Sequence, residues 1–314
     1  MASRGPHFLP SSSEISQPEI TPALIFRRAG DRERARDRGN AHLRHVARQR
    51  VEVVGITRRA IRWSDPVLSG ILAVMFRSTA HLYDLIYEAS GKDYAAEAAE
   101  LKGLVNARSP AARSLLDVAC GTGAHLAHLL DTYEVAGVDL DPGMLAQAHQ
   151  RLPQEVQLIE ADMRSFSLGR GFDVVTCLFS SIGYMASTDD LRAAIRNMAD
   201  HLHPAGVLIL DGWVRPHAWR PSGSVHIDVT ERDGLSVVRV ARSERSGRTT
   251  HLEMHHLVAS LDKVEHLIDH HDLTLFEPAE YEEGLTGAGL VFEVGPGPIP
   301  DRDRYIARKA SVES

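Results

Sequence analysis

Lysine is scarce in this chain, with four among 314 residues against 31 arginines, and only two residues are cysteine. Two cysteines, Cys120 and Cys177, cannot build a disulfide framework, and both fall in apolar stretches that read as core strands or turns, so a reducing cytoplasm is the expected setting. No apolar run is long enough to span a bilayer, and the first residues lack the charged, apolar and small-residue order of a secretory signal. Membrane and secreted classes are therefore not expected. The lysine deficit matches translation from a GC-rich genome, and charge is unevenly spread. Residues 1–78 carry 14 arginines against 7 acidic residues, and since the whole chain is at −7 the remainder is strongly acidic. A body of that sign does not call for nucleic acid.

Residues 1 to about 60, within an extension expected to run over 1–77, show no sustained hydrophobic period. They begin Ser/Pro-rich (SSSEISQPEITP), and Arg27 to Arg62 is dense in arginine. This segment reads as a disordered or loosely helical extension, with a basic arm for nucleic acid or membrane as the alternative. Translated upstream sequence would look the same, which makes Met75 a candidate start. Order is expected over 78–314, a length that buries a core of its own.

The chain is organised around Leu115 to Gly123, LLDVACGTG. An apolar run broken by Gly121 and Gly123 and followed by a helix-like segment (124–131) reads as a first strand turning into a first helix, where nucleotide-like cofactors sit. Glycines let the backbone approach such a ligand. Asp117 separates two cofactor classes: a carboxylate there can take the ammonium of a methionine moiety, as in S-adenosylmethionine, and would repel a pyrophosphate. Upstream, Leu82, Leu85 and Ile86 recur at helical spacing, Gly91 breaks the run, and a second helix is expected over 93–106. Downstream, Val135 to Leu140 is a second strand ending in Asp139, placed to hold both ribose hydroxyls. A third strand, 156–160, leads to Asp162 and Met163, placed for the adenine amino group and ring. Phe172 to Leu178 reads as a buried parallel strand. It empties into FSSIGY (179–184) beside the cofactor. A helix over 188–201, a turn at 204–206 and a fifth strand over 207–210 complete a doubly wound α/β sheet. From 222 to 276 strict alternation predicts four antiparallel strands, an inserted layer for substrate or for a dimer contact. A helix over 277–288 and a last strand pair, 290–294 and 304–307, follow. The histidines of the inserted layer (His251, His255, His256, His266, His270, His271) do not converge as ligands would, since His251 and His255 would lie about 13 Å apart on one strand, so no metal is expected.

The stretches YDLIYEASGKDYAAEA (83–98), SLLDVACGTGAHL (114–126), ADMRSF (161–166), FSSIGY, HLHPAGV (201–207) and TLFEPAEYEEGLTGAGL (274–290) resemble the S-adenosylmethionine-dependent N,N-dimethyltransferases of TDP-linked amino deoxysugars, the desosamine and mycaminose type of macrolide antibiotic biosynthesis. The resemblance covers residues 79 to 308 and implies a class I, Rossmann-like methyltransferase fold. It assigns the cofactor to Asp117, Ala119, Cys120, Gly121, Gly123, Asp139, Leu140, Asp162, Met163 and Phe179. It places Tyr87 and Tyr184 at the sugar amine, Tyr83, Ser180, Ser181 and Trp213 around the sugar, and Arg302 near the diphosphate, with Arg304 as a further cation. The chain departs from the family at Asp211-Gly212-Trp213-Val214 and at 301–305, both on the nucleotide-sugar side. The expected activity is N,N-dimethylation of a TDP-3-amino deoxyhexose by a cytoplasmic, possibly homodimeric enzyme. The alternatives are a methyltransferase for another small amine or hydroxyl, and a cofactor-binding protein that only supports a partner enzyme.

Overall fold

The computed structural model describes residues 79–220, 226–232 and 234–309. The arginine-rich extension lies outside them. The first helices are α1 (Ala80–Ala89) and α2 (Tyr94–Asn106). Asp93 starts α2 by accepting a hydrogen bond from the Ala96 amide at 2.9 Å, which satisfies one of the helix's free N–H groups.

The main sheet is built from β1 (Ser114–Val118), β2 (Glu134–Asp139), β3 (Gln157–Glu160), β4 (Phe172–Cys177) and β5 (Leu202–Val214), with β10 (Leu290–Pro296) and β11 (Arg302–Lys309) at one edge. Its order is β10-β11-β5-β4-β1-β2-β3. The strands from β3 through β5 run parallel, while β11 is antiparallel to both β5 and β10. Strand alternation sends Leu116 and Val118 to one face and Leu115 to the other. The first face packs against α5 (Thr188–Asp200) and α6 (Pro278–Gly287) through Leu191, Ile195, Met198 and Leu285. The second packs against Leu101 and Val105 of α2, Leu126 of the short helix α3 (Ala124–Ala127), and Leu145 and Ala148 of α4 (Pro142–Arg151). Both faces of β1 are therefore dry, and each buried leucine contributes about 1.5–3 kcal/mol of apolar transfer.

Two local expectations change. The helix expected over 124–131 is a single turn, because from His128 on the chain closes i→i−3 bonds (His128 to His125, Leu129 to Leu126) and leaves the helix path. The turn expected at 204–206 is a bulge inside a long strand: β5 pairs Leu202 with Phe172 and Val207 with Val174, and the extra residues are absorbed where Ala205 adopts φ 64°.

The inserted layer is a meander of β6 (His226–Arg232), β7 (Leu235–Ser246), β8 (Thr249–Ala259) and β9 (Val264–Thr274), in that order. Its inner face receives Leu82, Leu85 and Ile86 of α1 on Val237 and Val258. Its outer face leaves Ile227, Val229, Leu257 and Ile268 exposed. Alternation divides the histidines: His256 and His271 point inward and are buried, whereas His251, His255, His266 and His270 lie on the outer face. Among the described residues no three His, Cys, Asp or Glu side chains converge as a metal site requires, and no helix is long and apolar enough to cross a membrane.

Candidate active site

Where β1 ends, Ala119, Gly121 and Gly123 all take positive φ, 60°, 57° and 70°. The last two positions differ in what surrounds them. A Cβ on Gly123 would meet Leu152 Cδ1 at 2.8 Å and Ala148 Cβ at 3.2 Å, so this glycine is required by contact with α4 and its end. A Cβ on Gly121 would meet nothing within 4 Å. Gly121 instead borders open space, as a backbone cradle for a ligand does. The turn is latched by Asp139 at the end of β2, whose Oδ2 accepts from the Gly121 amide at 2.7 Å and whose Oδ1 accepts from the Asp141 amide at 2.8 Å. Asp141 caps α4 through the Gly143 amide at 2.7 Å. Cys120 is buried behind the turn, against Gly137.

Asp117 lies inside the sheet at 2% exposure and accepts from Thr176 Oγ at 2.7 Å. Burial pushes its carboxyl up to about 6, and burial does the same to Asp139, to about 6. Neither forms an ion pair among the described residues. Two carboxylates, one buried and one half-buried, that repel each other beside an open backbone cradle suit a cationic ligand. Leu140, 48% exposed, follows directly and offers an apolar surface for a flat ring. S-adenosylmethionine carries both features, and these residues fit it.

Beyond β3, at the residues expected to meet adenine, Met163 is half-buried and Asp162 already has a partner. Arg164 Nη2 donates to Asp162 Oδ2 at 2.6 Å and Arg164 Nη1 to Asp190 at 2.7 Å, which holds Asp162 below the usual carboxylate range. Asp162 therefore keeps only its remaining lone pairs for a ligand.

Beyond β4, Phe179 and Ser180 are both left-handed (φ 55° and 68°), a strained pair held from outside. The Phe179 amide donates to Asp211 Oδ2 at 3.1 Å, and Ser180 Oγ donates to the Gly212 carbonyl at 2.6 Å while accepting from Arg302 Nη1 at 3.0 Å. Ser181, the other serine expected at the sugar, likewise donates to a backbone carbonyl, that of Leu178, at 3.1 Å. Their bonds set the loop's shape. A 3-10 turn over Ser181–Tyr184 then delivers Tyr184 to the inner face of the antiparallel sheet, with its hydroxyl 3.1 Å from His271 Nδ1.

The wall beside the Phe179 loop is aromatic. Tyr83 and Tyr87 rings lie 4.6 Å apart, and Tyr87 meets Phe179 edge-on at 5.2 Å. Burial drives the Tyr83 and Tyr184 phenols upward, away from any role as general base at neutral pH. Arg302 stacks on Trp213 at 4.1 Å, and the Arg302 Nε and Trp213 Nε1 groups are buried without a hydrogen-bond partner among the described residues. Burial pulls this guanidinium down to about 10. Arg304, two residues on, is not available to a ligand. It is 6% exposed and tied to Asp211 at 2.7 Å and to Glu100 at 3.1 Å. The two arginines differ because a register shift between them aims the side chains differently.

Three residues the sequence reading passed over belong to this site. Lys92 Nζ sits 3.9 Å above the Phe179 ring and is paired with Glu97 at 2.8 Å; burial lowers its pKa and Glu97 opposes that. Arg239 lies 4.9 Å over Tyr87, and His271 meets Tyr184. Lys92, inside the SGKDY stretch of a chain with few lysines, was the one with a signal in the sequence.

The family described as methyltransferase domain matches residues 115–206. The chain is 45% identical over 229 residues, 72% of its length and 96% of the relative's, to the dTDP-3-amino-3,4,6-trideoxy-alpha-D-glucopyranose N,N-dimethyltransferase of Streptomyces venezuelae. It is 47% identical over 220 residues, 69% of its length and 86% of the relative's, to the dTDP-3-amino-3,6-dideoxy-alpha-D-glucopyranose N,N-dimethyltransferase of Streptomyces fradiae. The crystal structure of Streptomyces venezuelae DesVI superposes with a TM-score of 0.70 at 45% identity, covering 74% of this chain and 98% of that one. With that similarity over the glycine turn at β1, the acidic residues at the strand ends and the aromatic wall beside them, the chain belongs to the S-adenosylmethionine-dependent N,N-dimethyltransferases of TDP-linked amino deoxysugars, within the class I methyltransferases.

Proposed function

We propose that the protein methylates the 3-amino group of a TDP-linked 3-amino-3,6-dideoxy or 3-amino-3,4,6-trideoxy hexose twice, giving the 3-dimethylamino sugar. What carries the reading is one juxtaposition: a cradle for a cation at Asp117, Gly121 and Asp139 adjoins a wall of Tyr83, Tyr87, Phe179 and Tyr184, with a guanidinium, Arg302, beyond it. When bound, S-adenosylmethionine supplies an electrophilic methyl group on a sulfonium. Asp117 and the amides around Ala119 to Gly123 face its methionine end, Asp139 its ribose, and Leu140, Asp162 and Met163 its adenine. A neutral amine is already nucleophilic, so the chain's work is to bring nitrogen and carbon into line, a contribution on the order of 7 kcal/mol at best. Tyr87 and Tyr184 orient the amine rather than deprotonate it. Arg302, free at Nε and lifted against Trp213, grips diphosphate oxygens.

The same proposal places the enzyme in the cytoplasm, where free, buried Cys120 and Cys177 suit reducing conditions. It assigns 78–314 to the catalytic domain and treats 1–77 as dispensable. Two copies associate through the outer face of the antiparallel sheet, where Ile227, Val229, Leu257 and Ile268 are exposed. Sedimentation of the purified protein reads that association. The substrate is tested by offering TDP-3-amino and TDP-4-amino sugars side by side and following mass gains of one and two methyl groups. The 3-amino sugar is expected to gain both. Preference for the 4-amino sugar overturns the ring position, and methylation of neither overturns the acceptor class.

A further inference from the structure

Tyr184 does not face the acceptor alone. Its hydroxyl lies 3.1 Å from Nδ1 of His271, a residue of β9 that is 1% exposed. The groups that bear on His271 include the Tyr184 phenol, His256 across the inner face of the sheet, and its chain neighbours His270 and Asp272. Burial pushes the His271 imidazolium down to about 4, with His256 and His270 adding to the effect and Asp272 opposing it. The imidazole is therefore neutral at working pH, with one ring nitrogen protonated and one bearing a lone pair. Burial raises the phenol, so Tyr184 keeps its proton. Between these two neutral groups the hydrogen bond has two polarities with opposite consequences for an amine on the far side of the phenol. If Nδ1 accepts, the phenolic proton points at the histidine and the phenol oxygen offers lone pairs to an amine N–H. If Nδ1 donates, the phenolic proton is free to bond the amine nitrogen and occupies the lone pair that has to attack.

We propose that His271 is a positioning residue for the methyl transfer, accepting the Tyr184 proton at Nδ1 so that Tyr184 serves as a hydrogen-bond acceptor for the substrate N–H. This rests on the placement of Tyr184 at the amine given above. With its N–H held by Tyr184, the amine directs its lone pair toward the methyl carbon. The nitrogen lone pair forms the N–C bond as the C–S bond breaks, its electron pair stays on sulfur to leave a neutral thioether, and the resulting ammonium gives its proton to water. The arrangement bears unequally on the two transfers. A primary amine has two N–H groups and can present either to Tyr184. The monomethyl intermediate has one, and only one orientation satisfies the bond while aiming the lone pair. A tertiary amine has none, which leaves the finished product without this contact.

The experiment compares His271→Leu, His271→Asn, His271→Gln, Tyr184→Phe and the His271→Leu/Tyr184→Phe double variant. It reads the rate of each methylation and the ratio of mono- to dimethyl product by mass spectrometry, with cofactor affinity by calorimetry. His271→Leu and Tyr184→Phe are each expected to slow the second transfer about tenfold and to accumulate monomethyl sugar, the size of one lost hydrogen bond. Cofactor affinity stays unchanged, and the double variant is no worse than either single one, because both remove the same interaction. An Asn amide oxygen reaches the Nδ1 position and restores the product ratio, whereas a Gln amide reaches the Nε2 position and does not. This pair carries the test if the leucine variant fails to fold. Wild-type rates for Tyr184→Phe would remove Tyr184 from the amine and with it the acceptor-site reading. A slow Tyr184→Phe beside a wild-type product ratio in His271→Leu or His271→Gln would overturn the role of His271 alone.

Discussion

Lowering the pH from 7.5 to 5 should weaken cofactor binding by about tenfold for each of the two carboxylates that must be ionised. Asp117 and Asp139 are held up to about 6 by burial, whereas Asp162 and Asp190, hydrogen-bonded to Arg164, lie below the ordinary range. The interval from pH 5 to 7 thus titrates the cradle and leaves the Arg164 cluster charged. At pH 5, one unit below the pKa, roughly ten of every eleven such carboxyls are protonated, and ionising one costs about 1.4 kcal/mol. A cationic ligand that needs both therefore loses at most about 100-fold. The melting temperature is the wrong assay for this effect. The raised pKa of the Asp pair stabilises the ligand-free fold fully below about pH 4, a contribution lost as pH rises through about 6. His256 and His271, buried and lowered to about 4, run the other way: their unfolded forms take up protons from about pH 6.5 downward, so the stability tied to them is lost as pH falls. Each group shifts by about two units, roughly 3 kcal/mol, and the two slopes largely offset. Titration calorimetry with S-adenosylmethionine reads the cradle directly, and repeating it near pH 6 in buffers of different ionisation enthalpy should reveal proton release on binding. Asp139→Asn should remove part of the pH dependence. An affinity that stays flat from pH 7.5 to 5 would refute the reasoning.

Gly123→Ala and Gly121→Ala should differ in degree: both place a Cβ at positive φ, a strain of about 1 kcal/mol, but the first also overlaps Leu152 and Ala148 and is expected to lose about 1–3 kcal/mol more in a urea melt, while the second loses little stability beyond that strain and, in addition, cofactor affinity. Arg302→Ala should raise KM for the nucleotide sugar at least about tenfold and leave cofactor affinity alone, the signature of lost substrate binding. Arg304→Ala strands Asp211 in the core and is expected to cost about 3–5 kcal/mol of stability, with the Phe179 loop loosened, whatever the substrate. A chain beginning at Met75 should fold and turn over like the full-length protein; an insoluble or inactive product would make residues 1–74 part of the domain.

The sequence by itself determined the features that short-range chemistry dictates. LLDVACGTG specifies a strand that must stop at two glycines. Acidic residues at 117, 139 and 162 mark three strand ends, and strict alternation from 226 to 274 requires antiparallel strands with two unlike faces. Those signals are legible because a strand's period and a glycine's permissive φ belong to the residues themselves. Partnership is not local, and it was decided only by tertiary structure. Nothing near Arg304 announces that it is bound to Asp211, 93 residues away, while Arg302 is left free at Nε. Nothing in FSSIGY announces that Ser180 bonds the Gly212 carbonyl and Arg302. His271 against Tyr184 was hidden altogether, and for Lys92 only the residue and not its partner Phe179 was legible, since each pair spans 87 residues and depends on how the segment before α2 and strand β9 dock on the parallel sheet. Which histidine meets which tyrosine follows from that docking, because a side chain's partner is set by where two elements meet in space.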